Sequence, residues 1–119
     1  FLLSLFFISC SDDESQDPVN IDWTLDGTNM SETNNFNTGS STMISLDLVS
    51  SSLCPAYGVN VIVSVGGIEQ YNETIETFDF TLDITVLEDA DVSIETRLDQ
   101  VNPQIACIML GSVACSLEY

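Results

Sequence analysis

The sequence contains no histidine and no lysine, and Arg97 is its single cation against 19 Asp and Glu, giving a formal net charge of −18 over 119 residues. Those absences exclude more than the composition proposes. Without His or Lys there is no Ser-His, Cys-His or Schiff-base chemistry. Zinc binding is equally poorly served, because no CxxC spacing occurs among the 4 cysteines. One Arg cannot neutralise a phosphate backbone, so nucleic acid is excluded as a partner. The same surface is repelled by anionic lipid head groups, and no Gly-rich phosphate loop is present. A carboxylate pair of the glycosidase kind is the one catalytic device left. No pair is singled out, since the acidic residues are spread along alternating segments, and the chain reads as a non-catalytic protein.

Long apolar runs are also lacking. The longest begins the chain, Phe-Leu-Leu-Ser-Leu-Phe-Phe-Ile-Ser over residues 1–9, and ends at Cys10. A membrane-spanning helix needs ~20 apolar residues. The run fits instead the back half of a signal peptide whose basic start lies upstream. Phe7-Ile8-Ser9-Cys10 resembles the lipobox of bacterial lipoproteins, with Phe7 where Leu is usual. The next residues, Ser11, Asp12, Asp13 and Glu14, are similar to the acidic export tag of Bacteroidota-type surface lipoproteins. The resemblance implies cleavage before Cys10, acylation of its sulfur, and display on the outer leaflet of the outer membrane. Two or three acyl chains hold a protein where one binds only reversibly. Residues 10–18 are then a lipidated cysteine with an acidic linker, and residues 19–119 a single domain of ordinary size.

Within that domain the dominant signal is a period of two. Val19, Ile21, Trp23 and Leu25 alternate with polar residues, and Asp26-Gly27 is a hairpin signal that predicts Trp23 opposite Met30. Residues 31–41 are Ser, Asn, Thr and Gly around Phe36 and read as a loop. Alternation returns through Ile44, Leu46 and Leu48, and again at Val59, Val61, Val63 and Val65. Gly66-Gly67 predicts a second hairpin with Tyr71 opposite Ile62, followed by a polar loop over 72–76. Phe78, Phe80, Leu82, Ile84 and Val86 are predicted to pair with Val92, Ile94 and Leu98, which places Arg97 among Asp79, Asp83, Glu95 and Asp99.

A last hairpin about Gly111 is predicted to set Cys107 opposite Cys115, close enough for a disulfide in an oxidising compartment, with Cys54 left free or pairing across the sandwich. These segments predict an all-β fold, a single antiparallel β-sandwich of immunoglobulin-like type with seven to nine strands, a small barrel being the alternative. No cofactor is expected, calcium excepted: a hard cation takes oxygen ligands, and Glu88, Asp89 and Asp91 are the candidates. The function expected is a surface-anchored binding or structural module with a protein partner. The alternative is a carbohydrate-binding accessory module, using Phe36, Tyr57 or Tyr71 as stacking platforms for a glycan. The high negative charge itself suits solubility in salty surroundings, where repulsion is screened within ~8 Å at physiological ionic strength.

Overall fold

The computed structural model describes residues 18–119. Cys10 and the tag Ser11–Glu14 lie outside the described residues. Eight strands and no helix are found among the residues described: β1 (Asn20–Leu25), β2 (Ser31–Asn37), β3 (Met43–Ser51), β4 (Tyr57–Val65), β5 (Ile68–Ile75), β6 (Phe80–Thr85), β7 (Asp91–Gln100) and β8 (Ser112–Glu118). They form two four-stranded sheets, β1-β8-β3-β6 and β2-β7-β4-β5. Every pairing is antiparallel.

The expected sandwich is therefore present, and its strand order is its own. First pairs with last, second with seventh, third with sixth, and fourth with fifth. That nesting is the double-sheet jelly roll, whereas an immunoglobulin sandwich keeps its first two strands in one sheet. Alternation explains why each segment is a strand: one row of apolar side chains turns toward the opposite sheet. Leu25, Leu48, Val59, Val61, Val63, Ile94, Val113 and Leu117 are all fully buried between the layers. Burying a side chain of this size stabilises by roughly 1.5 to 3 kcal/mol.

What alternation does not choose is the partner. β6 pairs with β3, setting Ile84 on Ile44, Leu82 on Leu46 and Phe80 on Leu48. β7 lies in the other sheet, between β2 and β4. The predicted β6–β7 hairpin, and with it the carboxylate cluster around Arg97, does not form. β1 and β2 likewise separate after their turn, which is closed by Asp26 and Asn29 with Gly27-Thr28 at its centre. Trp23 consequently pairs with Cys115 and not with Met30.

β2 itself falls where a loop was expected. Its inward positions are Glu32, Asn34 and Phe36, too polar to show an apolar period, yet its backbone pairs with β7 at every residue. The Gly66-Gly67 hairpin is present, and β5 runs on to Ile75. A register shift between Val63 and Ser64 puts Tyr71 opposite Val63 in place of Ile62. One extra residue moves a side chain to the other face of a sheet. Tyr71 therefore packs against the core.

Strand directions sort the connections into two ends. At the near end the chain enters beside its last residue: Val19 and Tyr119 exchange backbone hydrogen bonds of 2.8 and 3.1 Å. Connections 38–42, 66–67 and 86–90 share that end. Connections 26–30, 52–56, 76–79 and 101–111 form the far end.

Candidate interaction surfaces

Residues 101–111 are the longest connection among the described residues, and no residue from Gln100 to Leu117 is charged. The expected strand over 105–110 is absent because β8 is flanked on both sides, by β1 and by β3, and has no free edge to offer it. Cys107 consequently cannot reach Cys115. It bonds Cys54, 53 residues away in sequence, with Cα atoms 5.9 Å apart. The Cys54-Pro55 break ahead of β4 was the signal, since it places that cysteine at the same end as the loop.

The disulfide is one of several braces. Cys54 N–H donates to the Leu110 carbonyl at 2.8 Å, and Val101 and Asn102 N–H both donate to the Ala56 carbonyl, at 2.7 and 3.1 Å. The Asn102 side chain accepts from Gln104 N–H at 3.0 Å and so turns the chain. Gly111 closes the loop at φ +81°, where a Cβ would run into the Ser52 carbonyl, so only glycine fits. Leu110 packs toward the core and the turn at Gly27. Its two predecessors do the reverse: Ile108 is fully exposed and Met109 is 78% exposed. A chain held at so many points cannot fold these side chains back under itself.

Cys115 stays free and buried on the inner face of β8, between Trp23 and Leu48. Burial pushes its thiol up to about 12; the Glu32 carboxylate adds to that, and a hydrogen bond with Thr96 opposes it. Such a thiol is inert at neutral pH. Thr96 also accepts a 2.9 Å hydrogen bond from the Trp23 indole. Beside them the Asn34 side-chain nitrogen is buried with no hydrogen-bond partner among the described residues.

The acidic candidates stay dispersed. Among the described residues no group of three or more His, Cys, Asp or Glu is arranged to hold a metal ion. Asp91 accepts from the Asn37 amide at 3.0 Å, and Asp89 turns the 86–90 connection at φ 57° with its N–H on the Gly39 carbonyl at 2.7 Å. Arg97 pairs with Asp99 on its own strand, bidentate at 2.8 and 3.2 Å, and that pair raises the guanidinium pKa further. At the far end, hydrogen bonds from the Thr28 hydroxyl and from the Thr28 and Asn29 N–H groups hold the Asp26 carboxyl below its usual value.

The three aromatic candidates face inward. Phe36, Tyr57 and Tyr71 are half-buried and pack against the core, and Phe36 stacks on Tyr119 with ring centres 4.2 Å apart. A shallow groove of about 400 Å³ toward the near end is lined by Asn35, Ser64, Asp91 and Ser93 together with Phe36 and Val92. Its polar groups can hydrogen-bond a hydroxylated ligand, and the half-buried Phe36 ring lies beside them. No family model matches the chain, and no curated protein is similar to it.

Proposed function

We propose that this protein is a non-catalytic lipoprotein, held by acyl chains on Cys10 at the outer membrane and displaying its jelly-roll domain at the cell surface as a binding or structural module. The observation that carries this reading is the Cys54–Cys107 disulfide. Such bonds persist in oxidising compartments and are rare where thiols are kept reduced. The lipobox-like run and acidic tag supply the address, and the near-end entry at Val19 supports the geometry: a tether there leaves the far end pointing away from the membrane.

The test is palmitate labelling of cells producing the whole chain, with protease shaving of intact cells. Label that disappears in Cys10→Ser, together with loss of the domain on shaving, is the expected result. Intact mass showing an unmodified Cys10, or residues 1–9 still attached, removes the lipoprotein reading.

A carbohydrate-binding accessory module, calcium-assisted or not, is the second reading, and the groove where Asn35 and Ser93 lie beside Phe36 is what favours it. A glycan array with and without calcium is its test, and uniform absence of binding eliminates it.

A further inference from the structure

Several features invite a ligand, and one goes furthest. The outer face of the β1-β8-β3-β6 sheet carries Asp22 and Asp47 on either side of Ser116, and all three border a shallow depression. Carboxylates on a wet sheet are adequately explained by solvation. The groove at Asn35 belongs to the second reading above. The loop tip has no such account: in a chain of net charge −18, the connection that projects two large apolar side chains is also an uncharged one braced by a disulfide.

We propose that Ile108 and Met109 form the docking tip for a second protein, one whose surface offers an apolar pocket bordered by Lys or Arg. Exposed apolar groups on a soluble domain mark interaction sites when they are gathered and not scattered, and a tip already locked in place loses little conformational freedom on binding. The charge at the same end of the sandwich selects the occupant. Asp26, Glu76 and Asp79 lie at the far end, Glu76 beside Gly58 at the start of β4, whereas Asp99 opposite Gly58 is already paired with Arg97. A second copy of this chain would bring the same carboxylates against them, and a bilayer with anionic head groups would repel them. A basic rim around an apolar socket complements both parts of the surface and speeds encounter.

The inference rests on the binding-module reading, and its test is kept separate from it. The whole chain carrying Ile108→p-benzoylphenylalanine is irradiated in the cells the protein comes from, with Thr33→p-benzoylphenylalanine on the wet face of β2 as control. The expected result is one discrete protein adduct from position 108 and none from position 33. Its crosslinked peptide lies in an apolar pocket with Lys or Arg at the margin. With that partner purified, Met109→Asp weakens binding at least tenfold, as does 0.5 M NaCl for the wild type, while Trp23 fluorescence shows the fold unchanged.

No adduct, equal adducts at both positions, an adduct with lipid or with a second copy, or a partner lacking the basic margin overturns the proposal. Irradiation reads the tip wherever the protein resides. Failure of surface shaving in the same cells therefore counts against display alone.

Discussion

The indole of Trp23 donates to the hydroxyl of Thr96 at 2.9 Å inside the sandwich, joining the first strand of one sheet to the seventh strand of the other. Thr96 is fully buried and Trp23 nearly so, which leaves no water to replace either partner. Thr96→Val keeps the shape and removes the acceptor. An orphaned buried donor costs about 1 to 3 kcal/mol. The expected outcome is a lower urea midpoint with unchanged steepness, read from the fluorescence of the protein's 1 Trp.

Removing the disulfide tests a different kind of stabilisation. Cys54 and Cys107 close a loop with a sequence separation of 53. Cross-linking a loop of that length restricts the unfolded chain by about 4 kcal/mol in the chain-entropy treatment. The Cys54→Ser, Cys107→Ser double variant is expected to lose a stability of that order in urea, and its 101–111 loop to become sensitive to protease. A double variant as stable as the wild type would show that the other braces alone hold the loop.

Cys115 gives a pH signature with a definite sign. Folded, its thiol keeps its proton to about 12, while the unfolded chain releases it near the ordinary value of 9.0. The folded state thus binds the proton more tightly. This contribution is whole below pH 9 and is lost as pH rises toward 12, with a slope of up to about 1.4 kcal/mol per pH unit. Urea titrations between pH 8 and about 10.5 are expected to show that extra slope in the wild type and not in Cys115→Ala. Iodoacetamide at neutral pH is expected to label Cys115 only after unfolding.

Asn34 predicts a gain. Its side-chain nitrogen is buried without a partner among the described residues, beside Ile94 across the ladder. Asn34→Leu keeps the branched shape of the side chain, removes an unsatisfied amide and is expected to stabilise by about 1 kcal/mol. Thermal melts decide it, and a loss of stability would place an ordered water on that nitrogen.

Most strands were legible because their inward residues are large and regularly spaced. Ile44, Leu46 and Leu48 declare β3, and Val59, Val61 and Val63 declare β4, whatever lies beside them. Partnership was not legible, since Ile84 would pack as well on Ile94 as on Ile44, and the choice depends on how the other strands close over the core. β2 was hidden by its composition: it is an edge strand whose inward row begins with Glu32 and Asn34.

The site suffered from the same ambiguity. An uncharged run from Ile105 to Leu110 reads as a buried strand when only its polarity is known. That Ile108 and Met109 are outside becomes apparent only once β8 is seen to be enclosed on both flanks. Tyr71 shows how little separates the outcomes, because one residue of register turned a wet aromatic into a core one.

The enclosure of β8 between the first and third strands also sets when this molecule can fold. A chain emerging in order from a narrow pore can complete the β2-β7-β4-β5 layer once β7 is out, but the β1-β8-β3-β6 layer waits for the seven residues of β8. Until that moment the seam between β1 and β3 gapes, and the core has only one finished wall.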